Sequence, residues 1–77
     1  MVFEYGKLRG RIREKGFTQS QLASLTGITP GTLSQKLNNQ APFKQKEITD
    51  ICNALEISAD EVGAYFFTLE VRKITNA

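Results

Sequence analysis

Apolar residues recur along most of the chain at the three- and four-residue spacing of helices. Tyr5, Leu8 and Ile12 share one face of a segment over 5–15. Leu22, Ala23 and Leu25 do the same over 18–26, and Leu33 and Leu37 over 30–38. Ile48, Ile51, Cys52 and Leu55 form the stripe of a helix over 44–55. Phe17, Ile28, Phe43 and Ile57 stand between these stretches, where turns lead back to a core. Val62, Tyr65 and Phe66 pack down a last helix that begins near Ser58. Then the period changes. Phe67-Thr68-Leu69-Glu70-Val71-Arg72 alternates apolar and polar, which is the period of a strand. The pattern predicts an all-α domain of five helices over 1–66 and a short C-terminal strand and tail over 67–77. A lone strand has no partner in a helical chain. Pairing with the same segment of a second copy, through Phe67, Leu69 and Val71, is therefore expected.

Local signals place the ends of these helices. Thr18 and Gln21 form a capping box at the start of 18–26. Gly27 supplies the positive φ that a helix C-terminus favours. Thr29 caps the next helix, and Pro30 occupies its first turn, where a missing N–H is harmless. Helix, Gly-containing turn, helix is the helix-turn-helix pattern, whose second helix enters the DNA major groove. Lys15-Gly16 ends the first helix, Asn38 to Pro42 is turn chemistry, and Ser58 with Glu61 makes a second capping box. Gly10, inside the first helix, costs up to about 1 kcal/mol relative to Ala and leaves room for a neighbouring helix.

At 77 residues the chain holds one small core. It has no apolar run near the ~20 residues of a membrane span. Its first residues have neither the basic start nor the apolar core of a signal peptide. A cytoplasmic location is the expectation, and the single cysteine, Cys52, suits a reducing compartment. There is no histidine, and zinc-ligand spacings, Gly-rich phosphate loops and Gly-x-Ser-x-Gly are absent. We expect no enzyme, no metal and no cofactor. The net charge of +2 hides a polarity. Lys7, Arg9, Arg11, Arg13, Lys15, Lys36, Lys44 and Lys46 face only Glu14 within 7–46, whereas acids dominate 47–77. A basic half that contains the helix-turn-helix is the footprint of a polyanion binder. Two basic rows lie on the first helix, Lys7, Arg11 and Lys15 in one and Arg9 with Arg13 in the other.

Gln19, Leu22, Ala23, Gly27, Ile28, Leu33 and Leu37 resemble, in order and spacing, the Cro and repressor class of helix-turn-helix proteins with the lambda-repressor-like fold. The resemblance covers about residues 5–66. Tyr5 to Ile12 and Tyr65-Phe66-Phe67 look like the short Cro-like regulators of phages and prophages. Thr26 departs from the pattern where the family often has an apolar residue, and Leu25 is expected to take over its packing. The resemblance implies a five-helix domain that binds a palindromic operator as a homodimer and represses or modulates transcription, at the nucleoid of a bacterial host. It also implies that Gln19 grips phosphate at a helix N-terminus.

The family usually reads bases from the first two residues after the cap. Here these are Pro30 and Gly31, which carry no hydrogen-bonding side chain. Base contacts then fall to Thr29, Thr32, Ser34 and Gln35, with Pro30 against a thymine methyl. Gln19, Lys36, Asn38, Lys44, Arg9 and Arg13 are the candidate phosphate contacts. Two other functions fit the same helices. One is the antitoxin of a toxin–antitoxin pair. The other is a helix-turn-helix module that binds a protein instead of DNA, for which an apolar or acidic outer surface would be the mark; the Thr, Ser, Gln and Lys of that surface argue against it.

Overall fold

A computed structural model describes residues 2–69. Among them are five α-helices: α1 (Gly6–Glu14), α2 (Gln19–Thr26), α3 (Pro30–Leu37), α4 (Gln45–Leu55) and α5 (Val62–Phe66). A single 3₁₀ turn, Ala59–Glu61, leads into α5.

The predicted caps are largely in place. At α2, the Gln21 N–H donates to Thr18 Oγ1 (3.1 Å) and the Thr18 N–H to Gln21 Oε1 (2.9 Å), so two free donors are satisfied at once. Gly27 closes α2 at φ 73° with its N–H on the Ala23 carbonyl. At α3, Thr29 Oγ1 accepts the Thr32 N–H at 3.2 Å. Glu4 starts α1 by accepting the Gly6 N–H on its carboxylate. Before α5, the Glu61 carboxylate accepts the Ser58 hydroxyl at 3.0 Å.

One helix end breaks the usual preference. Glu56 terminates α4 in the left-handed region at φ 57°, which is unfavourable for a residue with a Cβ. Arg11 holds the chain there. Its Nε donates to the Leu55 carbonyl (3.0 Å) and Nη2 to the Glu56 carbonyl (3.3 Å), two acceptors that the ended helix leaves open.

Leu8, Leu22, Leu33, Ile51, Leu55 and Phe66 are fully enclosed, so every helix contributes to one core. Tyr5 and Phe66 grip Phe43 between them edge to face, at 5.4 Å and 5.3 Å. This locks the loop before α4 against both ends of the domain.

Three expectations change. Leu25 does not pack inward; it is 62% exposed. Thr26 needs no substitute, because its hydroxyl donates back to the Leu22 carbonyl at 2.9 Å. A Cβ on Gly10 would meet nothing within 4 Å, so no helix approaches there. The C-terminal segment also finds a partner in its own chain. Phe3 and Leu69 form an antiparallel bridge, and the Glu4 N–H donates to the Thr68 carbonyl at 2.7 Å. The alternation from Phe67 was legible, but the extended residues 2–4 that complement it carry no such signal. Val71 lies outside the described residues.

Candidate functional site

The surface built by α2, α3 and the loop to α4 is set by the capped turn around Gly27. It differs in charge from what the basic first half suggested. From Gly16 to Phe43 the sole charged residue is Lys36. Lys36 is 5% exposed, and its ammonium is paired with the Glu47 carboxylate of α4. Its ammonium, expected on phosphate, is instead turned into the protein. Burying an ammonium unpaired would be prohibitive, and Glu47 is the partner that makes its burial tolerable. Burial alone would raise the Glu47 carboxyl. The Lys36 ammonium and the Lys44 backbone N–H outweigh that effect and hold it below the usual carboxylate range.

Most of the α1 cations are also engaged inside the molecule. Arg11 bonds Glu14 and the end of α4, and Lys15 pairs with Glu56 at 2.8 Å. Lys7 lies 4.8 Å from the centre of the Tyr65 ring. Arg9 is half-buried, and its Nη2 donates to the Leu37 carbonyl (3.2 Å) and to Asn38 Oδ1 (2.9 Å). Arg9 and Asn38, both expected on phosphate, thus bond each other and secure the end of α3 to α1. Arg13 is different: it is exposed and belongs to none of the four ion pairs among the described residues. Lys44 is likewise exposed and outside those pairs.

The expected base readers divide as well. Thr29 Oγ1 donates to Thr32 Oγ1 at 2.8 Å and accepts the Thr32 N–H, so the Thr29 hydroxyl is engaged within the cap. Ser34 is half-buried. Pro30, Gly31 and Gln35 are exposed. Gln35 keeps an unengaged side-chain amide among the described residues, and Gln19 is half-buried at the start of α2.

Two depressions are lined in part by Phe17. One, of about 200 Å³, is lined by Arg9, Ile12, Arg13, Phe17 and Gln19. The other, of about 390 Å³, is lined by Gly16, Phe17, Gln21, Ser24 and Leu25. The apolar component of this surface, Leu25 beside Phe17, was missed because helical periodicity assigned Leu25 to the core. The absence of charge from Gly16 to Gln35 is a signal that the sequence does carry. Phe67 and Leu69, expected at a dimer contact, are exposed at 53% and 47%, with Phe67 edge-to-face on Phe3 at 5.9 Å.

Among the described residues no group of acidic, histidine or cysteine side chains is placed to hold a metal, and no helix is long and apolar enough to cross a membrane. Burial pushes the Cys52 thiol up, away from the reactive thiolate.

Comparison with known proteins gives a family and a fold. Residues 1–69 match the family model described as "Protein of unknown function (DUF739)". No curated protein sequence matches the chain. Among solved structures, the chain is similar to the modulator of repression (MOR) of the temperate bacteriophage TP901-1 from Lactococcus lactis, a solution structure. The two are 35% identical, with a TM-score of 0.75, and the match covers 94% of this chain and 97% of that one.

Proposed function

The chain belongs to the DUF739 family, and from that premise we propose that it is a phage-type regulator that modulates repression by binding a protein partner. The fold we assign is a lambda-repressor-like helix-turn-helix domain, with α2 and α3 as the paired helices. The observation that carries the reading is the outer surface of that pair. It exposes Leu25, Pro30, Gly31 and Gln35 and no charged side chain between Gly16 and Phe43. Protein interfaces deplete charge at their centres. DNA interfaces instead draw affinity from several phosphate-neutralising cations. The similarity to a modulator of repression supports the regulatory part.

A second reading is direct operator binding by a homodimer, with Gln35 on a base and Arg13, Gln19 and Lys44 on phosphate. The open Gln35 amide and the exposed Arg13 favour it. Calorimetric titration separates the two. The chain is titrated with each repressor protein of the genome that encodes it, and separately with that repressor's operator duplex. Under our reading one repressor binds saturably and the operator alone binds weakly, without preference over random duplex. Tight, sequence-dependent operator binding with no repressor binding would reverse the assignment.

A further inference from the structure

We infer that the two depressions lined by Phe17 are the docking site for an acidic protein segment that presents an apolar side chain next to a carboxylate. The inference rests on the protein-partner reading above and specifies the surface and the chemistry it selects. The half-buried Phe17 lines both depressions, so a single segment that crosses it can reach both. They ask for different groups. On one side, Leu25 stands 62% exposed over a depression whose other side-chain lining is Phe17, Gln21 and Ser24. Burying a leucine contributes about 1.5–3 kcal/mol when the whole side chain leaves water. On the other side, Arg13 is exposed and outside every ion pair among the described residues, while Arg11 on the same helix and Lys15 just past its end are paired. Arg9 also lies outside those pairs, but its guanidinium is engaged by the Leu37 carbonyl and the Asn38 amide oxygen, so Arg13 is the α1 guanidinium left without a side-chain partner among the described residues. Charge complementarity assigns that seat a carboxylate, for which an arginine fork is well shaped.

This combination distinguishes protein from nucleic acid. A phosphate backbone satisfies Arg13 and Gln19 but offers nothing to Leu25. A plain apolar groove would satisfy Leu25 but leave the guanidinium facing an uncharged partner. An apolar anchor beside an acid uses both. Gln21 and Ser24 supply neutral hydrogen-bonding groups at the edge, as the rim of a protein interface does.

The test uses the full chain, the repressor identified as its partner in the titrations above, and a 20-base-pair duplex of arbitrary sequence. Wild type, Leu25→Ser, Arg13→Glu and Arg13→Lys are titrated with each probe, after amide NMR spectra establish that every variant is folded. Both residues are exposed, so folding should persist. We expect Leu25→Ser and Arg13→Glu each to weaken repressor binding at least tenfold, with Arg13→Lys intermediate. Duplex binding should be unchanged in Leu25→Ser. If the repressor binds wild type and all variants alike, the docking surface is elsewhere and this inference fails while the protein-partner reading stands. If Arg13→Glu weakens only duplex binding, the Phe17 depressions are a phosphate seat and the inference is overturned. If no repressor binds wild type, the protein-partner reading fails and takes the inference with it.

Discussion

The buried Lys36–Glu47 pair shows how one residue's setting decides its role. Lys36 sits on a helix expected to meet DNA, yet its charge serves to join α3 to α4. The folded protein binds the Glu47 proton less readily than the unfolded chain does. The stability this contributes is complete above the ordinary glutamate value of about 4.3 and is lost as pH falls through the lowered folded value. Acid unfolding followed by circular dichroism should therefore steepen below about pH 4 in wild type and less so in Glu47→Gln. At neutral pH Glu47→Gln should lose about 2–4 kcal/mol, because an ammonium is left buried beside a neutral amide. The opposite sign is expected at Gly10. It lies in mid-helix with open space at the Cβ position, so Gly10→Ala should raise stability by about 0.5–1 kcal/mol in a denaturant titration. The glycine's helical position was plain in the sequence. The emptiness around it was not, because spacing along one helix carries no information about what lies opposite.

At the scale of elements, capping chemistry was the most legible part of the chain. Thr18 with Gln21, Gly27, and Thr29 before Pro30 all act within four residues of their own helix end, so the local sequence contains both partners of each bond. Gly27→Ala tests this directly. There is space for a methyl group, but φ is 73°, so the substitution should cost about 1–2 kcal/mol through backbone strain alone. The thermal midpoint read by circular dichroism should fall accordingly, while the capping box at Thr18 stays intact. Leu25 was misplaced for an equally physical reason. An eight-residue helix offers barely two turns of periodicity, and Leu22 and Ala23 already fill the inward stripe. Leu25, two to three residues on, lies outside it. The basic rows on α1 were visible as rows, but their use depends on the end of α4, the Tyr65 ring and the end of α3, all distant in sequence.

At the scale of the whole molecule, the end of α3 is tied to both ends of the described chain. Asn39, at φ 62°, donates its amide to the Phe3 carbonyl (2.8 Å) and accepts the Phe3 N–H (3.0 Å), as a neighbouring strand would. Phe3 is bridged on its other edge to Leu69. One side-chain amide thus substitutes for a strand and links the surface of α3 to residues 2–4 and 67–69. Asn39→Ala removes both bonds and places a residue with poor tolerance of positive φ at that turn. It should cost about 2–3 kcal/mol, with faster amide exchange at Glu4 as the local readout.

The number and order of the helices, their caps, most of the core and the neutrality of the stretch from Gly16 to Gln35 follow from the order of residues alone. These depend on periodicity and on bonds between near neighbours. It took packing to bury Lys36 against Glu47, to set Arg9 and Arg11 on helix ends, to turn Leu25 to water and to bring the C-terminal segment to Phe3. Each depends on a partner at least eleven residues away or on the absence of any partner, and pairwise distance is a property of the packed chain. The basic first half was an accurate count of charges. Packing then left Arg13 and Lys44 exposed and outside the ion pairs among the described residues.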